Sequence, residues 1–198
     1  SVSQAWLDAD CDGDGGTNGQ ETTDGTDFQD LCSFLVSSQT LTPSAAWGSA
    51  DCDFDKMIKT TLQSSFANQG QICLCGSRIF IEKTIYEKFK TAFIEKVKTH
   101  KVGNPFDEAS RMGAIVSKDH LEKIKGYIEL AKEEGGTVLF GGNQLTINGS
   151  EEGFYLEPTI IEGLPFSCRT NQEEIFGPVV TLTPFETEEE VLQYANST

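Results

Sequence analysis

Bases are missing from the first quarter of this 198-residue chain. No lysine or arginine precedes Lys56, while eleven aspartates and glutamates lie within residues 1–55. Histidine is scarce too, with only His100 and His120, and neither stands at zinc-ligand spacing from another candidate ligand. No run of about eighteen apolar residues occurs, which excludes a membrane-spanning helix from the reading. The chain opens without a basic stretch followed by an apolar one, so no signal peptide is expected. The net charge of −16, from 31 acids and 15 bases, repels phosphate backbones, so nucleic acid is not an expected partner. A hydrophobic share of 37% is enough to build a core and argues against disorder throughout.

The charge divides the chain. From Lys56 onward the remaining twenty acids face all fifteen bases, in long mixed-charge segments with helical periodicity. The first part is rich in Asp, Gly, Thr and Ser. A break this sharp predicts two units, residues 1–50 and 51–198. A single domain with an acidic arm is the alternative.

Residues 10–21 fit the twelve-residue calcium-loop pattern. Asp10, Asp12 and Asp14 supply carboxylates at loop positions 1, 3 and 5, and Gly15 allows the sharp turn at position 6. Gly16 offers a carbonyl, Asn18 stands at position 9, and Glu21 closes the sphere at position 12. Carboxylates packed this closely repel one another unless a cation neutralises them. A solvated acidic linker is the blander reading. The flanks lack the amphipathic helices of an EF-hand. The stretches DADCDGDGGTNGQETTDGTD and CSFLVSSQTLTPSAAW together resemble thrombospondin type 3-like repeats, which implies calcium binding in an extracellular protein. A shift of 41 residues lays Ala5-Trp6 on Ala46-Trp47 and Ala9-Asp10-Cys11-Asp12 on Ala50-Asp51-Cys52-Asp53. The second loop never closes, because Lys56 and Leu62 replace its turn glycine and final acid. Cys11 and Cys32 would pair in an oxidising compartment and stay reduced in a cytosol.

The remainder reads differently. Asp55 to Gln69 is predicted as a helix, with Met57, Ile58, Thr61, Leu62 and Ser65 on one face and Gly70 as its stop. FANQGQICLCGSR follows, then a strand-like Ile79-Phe80-Ile81. A cysteine just past a helix, beside glycines and ahead of a strand, suits a nucleophile on a tight turn. A buried inert thiol is the commoner fate of a lone cysteine. Phe66, Gly70, Gln71, Cys73, Gly76 and Arg78 together closely resemble the cysteine signature of the aldehyde dehydrogenase superfamily. The resemblance implies that Cys73 is the nucleophile and Cys75 an auxiliary thiol.

Further on, Thr84 with Glu87 reads as a capping box for a helix running to about His100. A second helix is predicted from about Ser117, burying Leu121, Ile124, Ile128 and Leu130. Thr137 to Phe140 and Val179 to Leu182 read as strands. Thr187 with Glu190 is a second capping box, for a helix expected to continue to Thr198. The glycines of EGGTVLFGGNQ lack the order of a dinucleotide loop. GFYLEPTII and NQEEIFGPVV are similar to further blocks of the same superfamily. By that resemblance Glu174 holds hydroxyls of the nicotinamide ribose and Phe176 packs near the nicotinamide. On their own, these two would read as a surface carboxylate and a core aromatic.

The expected fold class is α/β: a partial aldehyde dehydrogenase catalytic domain with a partly parallel sheet, behind a loop-rich acidic N-terminal segment. The implied activity is NAD(P)-dependent oxidation of an aldehyde to an acid, on a small-molecule substrate, closest to the branch acting on muconic semialdehydes. The resemblance also implies a cytoplasmic, homo-oligomeric enzyme. The family's phosphate-binding loop, its general-base glutamate, its oxyanion-hole asparagine and its oligomerising C-terminal strand have no counterpart in the sequence. The expectation is therefore that this polypeptide alone is inactive. The rival reading is a secreted calcium-binding adhesion module. Because the two parts suit different compartments and meet within Asp51–Lys56, a joint between two unrelated coding segments accounts for both.

Overall fold

A computed structural model describes residues 53–197. The first helix, α1, covers Phe54–Phe66. Asp53 caps it, its carboxylate accepting from the Lys56 amide at 2.9 Å. Met57, Ile58, Thr61, Leu62, Ser65 and Phe66 form its buried stripe, one turn apart. The helix stops short of the predicted Gln69, and Ala67–Gly70 instead make a tight turn with non-helical backbone angles at Asn68 and Gln69. Strand β1 follows at Arg78–Glu82. Helix α2 covers Tyr86–Lys98, but the expected Thr84 capping box does not form. The Thr84 hydroxyl donates to the Glu82 carboxylate at 2.7 Å, and Ile85 takes the cap position with no side-chain bond.

Helix α3 covers Lys118–Glu133, capped by the Ser117 hydroxyl, which accepts from the His120 amide at 3.2 Å. Leu121, Ile124 and Ile128 are buried as expected; Ala131 takes the fourth place, and Leu130 is only half-buried. Then come β2 (Thr137–Phe140), β3 (Gln144–Leu145), β4 (Tyr155–Leu156), β5 (Thr159–Glu162), the short α4 (Arg169–Gln172), β6 (Val179–Phe185) and α5 (Glu188–Ala195). Thr187 does cap α5, accepting from the Glu190 amide, and the Glu190 carboxylate reaches back to the Glu186 amide at 2.7 Å. The helix closes at Ala195 instead of running on. The Arg78 guanidinium donates to the carbonyls of Tyr194 at 2.9 Å and Ala195 at 3.2 Å, and so satisfies its last turn.

The main sheet has the order β1-β6-β5-β2. β1 and β5 both run parallel to β6, and β2 is antiparallel to β5. A separate ribbon pairs β3 with β4. The alternation of side chains sends Ile79, Ile81, Ile160, Val180 and Leu182 to one face, against Phe66, Phe89 and Phe93 of α1 and α2. Ile161 and Val179 meet Leu121, Ile124 and Ile128 of α3 on the other. Phe80 and Phe185 pack against Val191 of α5. Two helical layers thus enclose a mostly parallel sheet, and the expected α/β class is observed.

Asp10, Asp12, Asp14, Asn18 and Glu21, and with them the expected 1–50 unit, lie outside the described residues. Among the described residues, no cluster of three or more His, Cys, Asp or Glu side chains could hold a metal ion. No helix among them is long and apolar enough to cross a membrane.

Candidate active site

The site begins where α1 ends. Phe66 is fully buried, stacked on Phe93 with ring centres 6.3 Å apart, and this fixes the helix terminus. Three consecutive residues then turn left-handed: Asn68 (φ 49°), Gln69 (φ 60°) and Gly70 (φ 68°). Each non-glycine residue so placed costs roughly 1–2 kcal/mol, which neighbouring contacts must offset. The Asn68 side chain donates to the Gln71 carbonyl at 2.9 Å, and the Gln71 side-chain oxygen accepts from the Val116 amide at 3.0 Å. Gly70 lies so close to Gly177 that a Cβ there would sit 2.2 Å from the Gly177 carbonyl oxygen.

Next comes a turn closed by the Cys75 amide donating to the Ile72 carbonyl at 3.0 Å. Cys73 and Leu74 occupy its tip, and both are exposed. The Cys75 thiol is half-buried and donates to the Ala67 carbonyl at 3.5 Å. Burial pushes the Cys75 thiol up, with the Ile72 hydrogen bond opposing, so Cys75 stays protonated and tethered. The turn thus presents one sulfur and retires the other.

The opposite wall is the segment between α4 and β6. Asn171 anchors it from inside: its amide donates to the Pro165 carbonyl at 3.0 Å and its oxygen accepts from the Thr181 hydroxyl at 2.8 Å. Glu173 accepts from both Arg169 and the Tyr127 hydroxyl, which hold its carboxyl down at about 2. Glu174 is exposed, and its carboxylate has no hydrogen-bond partner among the described residues. The Glu174 carbonyl accepts from the Lys123 ammonium at 3.0 Å. Phe176 is left-handed (φ 61°), and its carbonyl lies 2.6 Å from His120 Nε2. Gly177 is buried against Ile124, where a Cβ would lie 2.5 Å from Cδ1.

Between the walls is a cleft of about 290 Å³, lined among others by Cys73, Cys75, Arg78, Glu174, Phe176 and Gly177. The structure therefore brings Cys73, Glu174 and Phe176 together, across a hundred residues of sequence. A larger cleft, about 570 Å³, has Lys101, Asn104, Phe106, Asp107 and Ile147 among its lining; it contains no cysteine or histidine and shares no residue with the first. Sequence reasoning gave α3 only a packing role. It missed that His120, Lys123 and Tyr127, three and four residues apart on one face, all hold residues 173–176. That spacing was the available signal.

An unpartnered carboxylate can accept from two vicinal hydroxyls, and a half-buried aromatic ring can seat a flat heterocycle.

The family model described as "Aldehyde dehydrogenase family" matches residues 44–198. A 2-aminomuconic semialdehyde dehydrogenase of Danio rerio is 47% identical over 151 residues, covering 75% of this chain and 31% of the relative. A 2-aminomuconic 6-semialdehyde dehydrogenase of a Pseudomonas species is 41% identical over 150 residues, covering 75% and 30%. Among solved structures, betaine aldehyde dehydrogenase of Staphylococcus aureus in complex with NAD+ superposes with a TM-score of 0.71 at 42% identity, covering 74% of this chain and 29% of the other. The chain spans about a third of the length of the curated relatives it matches.

Proposed function

The chain belongs to the aldehyde dehydrogenase family, and on that premise we propose that it carries the nucleophile and the nicotinamide end of the cofactor site of an NAD(P)-dependent aldehyde dehydrogenase. The observation that supports this most is the single cleft shared by Cys73, Glu174 and Phe176. Cys73, as thiolate, attacks the aldehyde carbon, forming a C–S bond and a tetrahedral oxyanion. The turn hydrogen bond uses the Cys75 amide and leaves that of Cys73 for the developing charge. Glu174 accepts from ribose hydroxyls, and Phe176 seats the ring. When bound there, a nicotinamide supplies the oxidising half of the reaction by taking up a hydride. The acyl group is left on Cys73 as a thioester, which water cleaves to the acid, returning the thiol.

Among the described residues that line the cleft none is assigned to activate that water or to hold the dinucleotide's other half, and the reading is therefore that the 198-residue chain by itself does not turn over. The names of the relatives favour a muconic semialdehyde as substrate. Residues 1–50 form, in the same proposal, a separate calcium-binding segment joined to the dehydrogenase unit at 51–198. Calcium titration with and without Glu21→Gln tests that part, and equal response of both chains would refute it.

The main test is alkylation of the purified chain by iodoacetamide, with and without nicotinamide mononucleotide, mapped by mass spectrometry. Cys73 is expected to label in its absence and to be shielded in its presence. No shielding at any concentration would refute the nicotinamide assignment. Formation of reduced NAD by the chain with an aldehyde, lost in Cys73→Ala, would overturn the inactivity.

A further inference from the structure

Asn148 precedes Gly149 in the loop between β3 and β4, and no other asparagine among the described residues precedes a glycine. Both residues are exposed. The Ser150 amide donates to the Ile147 carbonyl at 2.9 Å, so Ile147–Ser150 form a β-turn with the pair at its tip. Gly149 stands at φ 75° in the third place, as a type II turn requires. A Cβ on Gly149 would meet nothing within 4 Å, so the space around the tip is open. The pair is built to react with itself. The side-chain amide carbon of Asn148 is an electrophile, and the Gly149 nitrogen is placed along the chain to close a five-membered ring on it. With no Cβ on the following residue, nothing crowds that ring.

Two hydrogen bonds oppose the closure. The Gly149 N–H donates to the Glu151 carboxylate at 2.8 Å. The nitrogen must shed that proton to attack, and a charged acceptor holds the proton in place while disfavouring a second negative charge beside it. The Ser150–Ile147 bond restrains rotation of the peptide unit between Asn148 and Gly149.

We propose that Asn148 is a self-modification site: it cyclises with Gly149 and hydrolyses to aspartate and isoaspartate, at a rate held back by the Glu151 carboxylate. The Gly149 nitrogen bonds to Asn148 Cγ, the bond from Cγ to the side-chain nitrogen breaks, and that nitrogen leaves as ammonia with the proton Gly149 gives up. Water then opens the succinimide. Cleavage between Cγ and the ring nitrogen gives aspartate, and cleavage between the main-chain carbonyl carbon and that nitrogen gives isoaspartate. Either product adds one negative charge to a chain already at −16. It also brings a second acid to the cleft of about 570 Å³ that Asn148 lines with Lys101 and Asp107, themselves paired at 2.7 Å.

The test incubates the 198-residue chain at neutral pH, folded and in urea, and follows each asparagine by peptide mapping. The Asn148 peptide should gain the mass of an amide-to-acid exchange and split into two isomers, sooner than the peptides holding Asn68, Asn104, Asn143, Asn171 and Asn196. In folded Glu151→Ala it should convert roughly threefold faster than in wild type, the loss of one exposed hydrogen bond, with Glu151→Gln between. In urea these chains should react alike, and Gly149→Ala should be slower than all of them.

An Asn148 that stays intact while any of those five converts overturns the site. Aspartate without isoaspartate overturns the ring, and this wild-type readout is decisive even if a variant fails to fold. Equal rates for folded wild type and Glu151→Ala, with unchanged circular-dichroism spectra, overturn the role of Glu151. So does a faster Glu151→Ala in urea, where no folded contact remains to be lost.

Discussion

Gly70→Ala should separate the two walls of the cleft. Two costs follow from the geometry. At φ 68° an alanine is disfavoured by about 1 kcal/mol relative to glycine. Its Cβ would also stand 2.2 Å from the Gly177 carbonyl oxygen and 2.5 Å from the carbonyl carbon, where no flexible side chain can give way. Forcing the backbones apart is overpacking, typically about 1–3 kcal/mol. The sum, roughly 2–4 kcal/mol, is a large share of the 5–15 kcal/mol that about a domain of this kind holds in total. For a chain of this size it should lower the melting temperature by roughly 5–15 °C in calorimetry or thermal circular dichroism. The matched control is Gly126→Ala, inside α3, where a Cβ meets nothing within 4 Å and φ is ordinary. That change should stabilise by about 0.5–1 kcal/mol. A Gly70→Ala chain that melts within experimental error of wild type would refute the account of how the walls meet.

Iodoacetamide should label Cys73 before Cys75 and Cys168, since Cys73 is exposed whereas burial pushes the other two thiols up; peptide mapping that finds Cys168 first would contradict this. Asn171→Ala should cost about 1–3 kcal/mol in urea unfolding, because it strands the buried Thr181 hydroxyl and the Pro165 carbonyl; Asn171→Asp, which would bury a carboxylate facing that carbonyl, should cost at least as much at neutral pH. Burial first, and Arg111 second, hold the His100 imidazole below its ordinary 6.5. The unfolded chain therefore takes up a proton more readily than the folded one, so this histidine's contribution is fully present above about 6.5 and is lost as pH falls below it toward the folded value. His100→Phe should flatten stability across that window, and an unchanged pH profile would disprove the assignment.

Much of the scaffold was legible because periodicity reports burial directly. The stripe Met57, Ile58, Thr61, Leu62, Ser65 in α1 is buried as its spacing implied, and so are Leu121, Ile124 and Ile128 in α3. End effects were less legible. Thr84 and Thr187 stand in the same local pattern, yet only Thr187 caps its helix; Thr84 has a competing acceptor two residues back in Glu82. The end of α5 depends on Arg78, more than a hundred residues away, which no local window contains. In the cleft, the cysteine motif marked where Cys73 would be, but not the left-handed run at Asn68–Gly70 that delivers it. The α3 clamp was hidden because two of its three targets, the carbonyls of Glu174 and Phe176, are backbone groups that carry no side-chain signature.

The pairing of β1 with β6 sets a timetable for the molecule's birth. Arg78–Glu82 finds its partner only at Thr181–Phe185. At about 5–20 residues per second of synthesis, the segment bearing Cys73 leaves the ribosome roughly 5–20 seconds before the strand that will shelter it is made. During that interval the apolar edge of β1 is open to the cell. A nascent chain stalled before Val179 should therefore draw chaperones, and one stalled well after Phe185 should not.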